Sequence, residues 1–467
     1  MRGVRRPDLR AWVTGGLVKR WATGYGCGHE PVQVLTIGRD AASRQTGAGI
    51  SDKRGASLFA LAMFGAHLAY APLLTLLLPR RIVAIAPQHA AAMASVVMLI
   101  GAVAASLAHI FAGRISDGWR RRHGNRRAPI ALGLCLTVVA LNGLGFGRRV
   151  DLIIGGLIVF QVALNLMFAP AGALLVDYFP GRAKGRVAAL SNLAMPLAGL
   201  GTGAAALLFP RDGWAPFVAL AGAVLLAVLP LIAVWPFAAA APAMPAKDVL
   251  PGPEEPLPRS VHDGAWRRDL WGAWRRDLWR AGLARLLVQG GAAFMMTYFY
   301  LFLVRHPGRV GLVPGQAVDG LYGRLVMATT LVVLIVTVAA GHWSDRNRRR
   351  RAPMMAGALA AALALGAVRG GSGALLMVGY GLFQVGLIAY LALDAALVAE
   401  LLRGHARPGE MLGYMNLSNT LPSILVPLIV LGLTGGAADV LWAPGFAGAA
   451  GCCVLAAMLV ARIRTVA

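Results

Sequence analysis

Twelve long apolar runs, separated by short charged loops, constrain this chain more than any other feature. They lie at roughly 57–79, 90–113, 129–147, 151–176, 187–209, 215–238, 282–304, 320–342, 353–368, 373–399, 411–433 and 440–461. A helix needs about 20 mostly apolar residues to cross the hydrocarbon core of a bilayer. In lipid every backbone polar group must be satisfied internally, which leaves helices and closed barrels. Runs of this length therefore predict an all-α membrane protein whose first partner is the lipid bilayer. The ninth run is short because Arg369 and the 370–373 glycine stretch interrupt it. Pro72, Pro170, Pro196, Pro422 and Pro427 fall inside runs, which membrane helices tolerate.

The charge pattern needs a separate reading. The chain carries 45 Lys and Arg against 20 Asp and Glu, a net charge of +25. In a soluble protein that excess would suggest a nucleic-acid partner. Only 14% of residues are charged, however, 58% are hydrophobic, and the mean hydropathy is +0.65. These values exclude a soluble globular or disordered chain. The basic residues are also unevenly placed. The loops after runs 2, 4, 8 and 10 hold sixteen, and the loops after the odd-numbered runs hold eight. The N-terminal tail, the central loop and the C-terminal tail add nineteen to the richer side. Lys and Arg collect on the cytoplasmic face. Both termini are thus predicted to be cytoplasmic, in an inner or plasma membrane, with no nucleic acid involved.

Residues 1–55 are polar, basic and glycine-rich, and read as a disordered cytoplasmic tail or as sequence ahead of the true start. The short apolar stretch Ala11–Val18 lacks the flanks of a signal peptide. The expected blocks after it are a six-helix bundle at 56–238, a cytoplasmic linker at 239–281, a second bundle at 282–461 and a tail at 462–467. The linker ends in a tandem repeat, Ala-Trp-Arg-Arg-Asp-Leu-Trp at 265–271 and again at 273–279. Trp with Arg suits an interfacial helix leading into run 7; a duplicated linker is the preferred reading. Cys27, Cys135, Cys452 and Cys453 lack metal-ligand spacing and read as small buried hydrophobes, so no metal site is expected. The absence of a Walker A sequence argues against direct ATP coupling. No other catalytic motif is present and no cofactor is expected, so the chain does not read as an enzyme.

The chain also repeats itself. Phe160-Gln161-Val162 returns as Phe383-Gln384-Val385, and Asp177 then falls opposite Glu400. Asn192-Leu193 returns as Asn416-Leu417. Gly113-x-x-Ser116-Asp117 returns as Gly341-x-x-Ser344-Asp345, and Arg126-Arg127-Ala128-Pro129 as Arg350-Arg351-Ala352-Pro353. Every spacing lies between 223 and 228 residues. Four matches in the same order describe two homologous halves of six runs each. An even number of spans gives the second half the same orientation as the first, as in parallel-repeat transporters.

The stretch Gly113-Arg-Ile-Ser-Asp117-Gly-Trp-Arg-Arg-Arg-His-Gly124-Asn-Arg-Arg-Ala-Pro129 resembles the loop signature of the major facilitator superfamily. Tyr390-Leu-Ala-Leu-Asp394-Ala-Ala-Leu397 and Leu412-Gly-Tyr-Met-Asn416-Leu-Ser-Asn419-Thr-Leu-Pro422 resemble its glycoside–pentoside–hexuronide group of sugar/cation symporters. The likeness covers about 57–461. It implies a secondary transporter of a small organic solute, a sugar or glycoside by preference, working as a monomer by alternating access. It also implies conformational gating by Gly113, Asp117, Arg120 and Arg121, by Gly341, Asp345 and Arg346, and by Asp177 with Glu400. One departure stands out. The position after Asp117, normally Arg or Lys, is Gly118, so Arg114 or Arg120 is the expected substitute partner. Asp177 and Glu400 are expected to pair with Arg182, Arg186, Arg403 or Arg407.

Polar groups inside a membrane are costly and tend to face the bundle interior. Asp394 is either a proton or cation site or a buried partner for an arginine. His67 could also carry a proton. Tyr70, Gln161, Asn165, Gln289, Tyr298, Tyr300, Gln384, Tyr390, Asn416 and Asn419 offer amides and phenols for a hydroxylated solute, or for bonds between helices. His109, near the expected end of run 2, reads as structural. Run 2 lacks the acidic residues that sodium-coupled relatives use, so a coupling ion, if any, is H+ rather than Na+. Two rivals remain: a non-transporting relative acting in pigment or membrane assembly, and an integral-membrane transferase, which the duplication disfavours.

Overall fold

The computed structural model describes residues 52–179, 187–188, 190–191, 193–209, 212–234, 264–313, 318–347, 350–401, 408–434 and 442–463. These residues are 93% helix and contain no strand. The long helices, in chain order, are α1 (Lys53–Ile85), α2 (Ala90–His123), α3 (Arg127–Phe146), α4 (Val150–Tyr178), α5 (Ala194–Leu208) and α6 (Ala215–Val234). They continue with α7 (Gly264–Arg305), α8 (Asp319–Asn347), α9 (Arg351–Gly370), α10 (Gly373–Leu401), α11 (Pro408–Thr434) and α12 (Trp442–Ala461). Ten are long and apolar enough to cross a membrane; shorter apolar stretches, Ala194–Leu208 and Leu417–Leu433, stand where the fifth and eleventh runs were expected. The N-terminal tail before residue 52, Cys27 and most of the central linker lie outside the described residues.

Three helices outrun their apolar stretch. α1 continues through Arg80 and Arg81 to Ile85. Arginine is a good helix former, and both guanidinium groups find partners inside the protein. A π-turn at Leu73–Leu77 follows Pro72, which has no N–H to complete the regular ladder. α2 runs ten residues past residue 113 and stops at Gly124, whose φ of 74° is a left-handed conformation. Its N–H caps the Arg120 carbonyl at 2.8 Å, and Arg120, Arg121, Arg122 and His123 complement the negative end of the helix dipole. α7 starts at Gly264, so the Trp/Arg repeat at 265–279 is helical and continuous with the seventh span.

Packing within residues 52–234 pairs α1 with α4, α5 and α6, α2 with α4, and α3 with α4 and α6. Packing within residues 264–463 pairs α7 with α10, α11 and α12, α8 with α10, and α9 with α10 and α12. The second set is the first advanced by six helices. Between the halves α2 lies on α11 and α5 on α8. Glycine permits the tightest crossings: a Cβ on Gly323 of α8 would fall 2.9 Å from the Gly203 carbonyl of α5. Cys453 is buried in the second half, whereas Cys135 is exposed on the outer face, correcting the expectation of a buried thiol.

A candidate solute cavity and the contacts that close it

Two ends of the molecule can be told apart. The motif end carries the 124–126 turn and the C-terminal end of α4. The distal end carries the 86–89 and 147–149 connections and residues 306–313. Between the halves, from mid-height toward the motif end, lies a cavity of about 510 Å³. α1 contributes Tyr70, α2 His109 and Ser106, α4 Gln161 and Asn165, α7 Thr297, and α11 Asn419, Thr420 and Ser423. Much of the remaining lining is apolar, including Met98, Leu164, Phe168 and Met296. Among the described residues no Asp, Glu, Lys or Arg lines it.

One polar chain in the cavity has a fixed direction. Asn165 Nδ2 donates to the Gln161 carbonyl at 2.9 Å, which turns Asn165 Oδ1 toward His109 Nδ1 at 3.0 Å. The amide oxygen only accepts. His109 Nδ1 is therefore the donor, and in a neutral ring Nε2 is left as an acceptor. The sequence reading placed His109 too near a helix end. Because α2 reaches His123, His109 is fourteen residues inside it, about 21 Å from that end. His67 lies behind Tyr70 and Phe168, with ring centroids 5.6 and 5.3 Å away, and its Nδ1 donates to the Met63 carbonyl at 2.7 Å.

The distal end of the cavity is closed by bonds between the halves. Ser95 and Tyr298 share a hydrogen bond of 2.6 Å between α2 and α7. Tyr322 of α8 donates to the Thr75 carbonyl of α1 at 3.2 Å. Pro79, four residues on, has no N–H to offer that carbonyl. Beyond them Arg80 Nη2 pairs with Asp319 Oδ1 at 2.7 Å; both side chains are buried. Tyr300 donates to the same carboxylate oxygen at 3.0 Å, and Arg80 Nη1 donates to the Phe209 carbonyl at 2.6 Å. Arg81, also buried, donates to the Gly145 and Gly213 carbonyls at 2.8 and 3.0 Å.

At the motif end Arg126 gathers the first copy of the repeated loop. It pairs with Asp117 at 2.7 Å and with Asp177 at 2.8 Å, and donates to Ser116 at 2.7 Å. Arg120 takes the other oxygen of Asp177 at 2.7 Å. Asp117 therefore uses Arg126 rather than Arg114 or Arg120. Asp177 uses Arg120 and Arg126; the expected Arg182, Arg186, Arg403 and Arg407 lie outside the described residues. The reason is the added length of α2, which brings its last turn beside the end of α4. Burial works against the charge of Arg126, but the hydrogen bonds with Asp177 and Asp117 more than offset it and raise its pKa. This network ties α2, the turn and α4 within one half. Arg121 is exposed and Gly113 is open to a side chain. Gly341, Asp345, Arg346 and Glu400 lie in helices, with side chains outside the described set.

Asp394 of α10, 1% exposed, is held by Arg285 of α7 through Nε and Nη2. Among the described residues its Oδ1 has no hydrogen-bond partner, nor has the hydroxyl of buried Tyr390 one turn away. The arginine-partner reading of Asp394 thus has its arginine. Tyr70, Gln161, Asn165 and Asn419 line the cavity; Gln289 contacts Asn419 at 3.4 Å. Tyr298 and Tyr300 belong to the distal closure, Tyr390 to the packed core of the second half, and Gln384 is half-buried in α10. None of these four lines the cavity. The side chain of Asn416 lies outside the described set.

Two sets of packed apolar helices, a cavity between them and bonds closing one of its ends define an integral-membrane transporter. The model of the Major Facilitator Superfamily matches residues 55–427, and the chain belongs to that superfamily. Among solved structures, it resembles a bacterial homolog of the human lysosomal transporter Spinster in an inward-facing, unoccupied conformation. Identity is 15% over 89% of this chain and 95% of that one, with a TM-score of 0.58. The occupied inward-facing form gives 14% over 89% and 97%, with a TM-score of 0.63. A peptide transporter, POT, in complex with sulfate gives 12% over 87% and 94%, with a TM-score of 0.61. At these identities the likeness concerns the fold. No curated relative matches the chain.

Proposed function

We propose that this chain is a monomeric secondary transporter of twelve spans in two parallel six-helix repeats, moving an uncharged, hydroxylated organic solute by alternating access. The cavity carries this reading: about 510 Å³ between the halves, bonded shut at the distal end. The matched packing of the two halves supports the repeat layout. A lining of amides, hydroxyls and one imidazole amid apolar surface, with no charged side chain among the described residues, suits a glycoside better than a free sugar or an ion. The charge asymmetry makes the motif end cytoplasmic, so this conformation faces inward. Coupling to protons rather than sodium belongs to the same proposal, with Asp394 or His67 as the proton carrier; a cofactor and a metal have no role in it.

The test is uptake of a 4-nitrophenyl glycoside into proteoliposomes under imposed pH or sodium gradients. Concentrative uptake driven by the pH gradient supports the proposal, and Asp345→Asn should lower uptake per copy more than it lowers abundance. Absence of uptake and exchange for every aryl glycoside tried would favour a non-transporting relative. Uptake driven by sodium alone would remove the proton assignment.

A further inference from the structure

A second concavity, of about 550 Å³, lies apart from the solute cavity. It is a groove between α2 and α4 on the opposite side of α2, and its lining is apolar throughout. Leu107, Phe111 and Ile115 form its floor at four-residue spacing, each more than half exposed at 54, 55 and 56%. Within a membrane span such a face meets acyl chains rather than water. The groove is concave and ends in positive charge. Arg114 and Arg122 follow Phe111 and Ile115 by three and seven residues, which places them on the groove's face of α2. Both are exposed, as is Arg121. Between them is Gly118, where an added Cβ would meet only the Arg121 guanidinium at 4.0 Å, leaving a notch against the helix. Trp119 stacks on His123 at 3.9 Å beside the notch, as an indole does at the headgroup level. The neighbouring carboxylate, Asp117, is already engaged by Arg126.

We infer that the groove and its arginine rim form a binding site for one anionic phospholipid. The phosphate sits in the Gly118 notch against Arg114 and Arg122, and an acyl chain runs along Leu107 and Phe111. The site is independent of the solute cavity and of the transport reading. The test is native mass spectrometry of the full chain with equimolar dioleoyl phosphatidylglycerol and dioleoyl phosphatidylcholine. The wild type should retain the phosphatidylglycerol in clear excess, and excess inorganic phosphate should not displace it. Arg114→Gln with Arg122→Gln should reduce the preference roughly ten-fold or more. Ala104→Trp, which fills the groove and leaves the arginines in place, should lower retention of that lipid, while Arg148→Gln at the distal end should not. Equal retention of the two lipids by the wild type, displacement by phosphate, or unchanged retention in Ala104→Trp would each overturn the site.

Discussion

A buried charge in a membrane span is tolerated only with a partner, and the Arg285–Asp394 pair joins α7 to α10 on those terms. Breaking one side leaves the other charge stranded. Asp394→Asn is expected to destabilise the detergent-solubilised protein by about 3–5 kcal/mol. Replacing both partners, Asp394→Leu with Arg285→Met, should recover most of that loss. Unfolding midpoints of the wild type, Asp394→Leu, Arg285→Met and the double variant give the cycle, and additive effects would show that the pair is not a unit. His109 offers a second prediction at this scale. If Nε2 accepts a solute hydroxyl, His109→Leu should weaken binding of an aryl glycoside about ten-fold, the cost of one hydrogen bond, and isothermal titration would measure it. The sequence made half of this legible. Arg285 and Asp394 stand out as charges in apolar runs, but they are 109 residues apart and nothing local announces the pairing. His109 was missed for another reason: depth depends on where α2 ends, and the apolar pattern stops before the helix does.

At the scale of elements, the apolar runs located the long helices among the described residues and misjudged several ends. Hydrophobicity records where lipid is, whereas helix ends are set by breakers and caps, as at Gly124. Close helix crossings were legible only in hindsight, because a glycine in an apolar run looks alike whether it faces lipid or a neighbouring backbone. Gly133 of α3 and Gly357 of α9 are 224 residues apart, within the spacing of the duplication. A Cβ on Gly133 would collide with the backbone of Leu166 and Met167 in α4, and one on Gly357 would lie 2.8 Å from the Gly386 carbonyl in α10. Each half thus repeats one crossing. Gly133→Leu and Gly357→Leu should each lower the melting temperature and membrane abundance by forcing these helices apart, at about 1–3 kcal/mol or more. Gly155→Leu, where the added side chain meets open space, is the matched control and should leave both unchanged.

At the scale of the whole molecule, the duplication pointed to two sets of helices with an interface between them, but not to which contacts would hold that interface in a given state. The motif network does not hold it: Asp117, Arg126, Asp177 and Arg120 all belong to the first half. Among the described residues the bonds that cross are at the distal end, and the strongest is Arg80–Asp319 with Tyr300 on the same carboxylate. These contacts exist only while that end is closed, so they stabilise the distal-closed state by their full difference between states. When the end opens, both charges regain water, so their loss need not cost global stability. Asp319→Asn should therefore shift the halves apart at the distal end while leaving the melting temperature nearly unchanged. A weakening of about 3 kcal/mol changes the ratio of the two states roughly a hundred-fold. Spin labels at Val313 and Arg148, both exposed beside the distal connections, would read the change as a longer interhalf distance. The exchanged pair Arg80→Asp with Asp319→Arg should return part of the population. If the distance distribution of Asp319→Asn matched that of the wild type, the ion pair would be a static tie, and closure would rest on the Ser95–Tyr298 and Tyr322–Thr75 bonds alone.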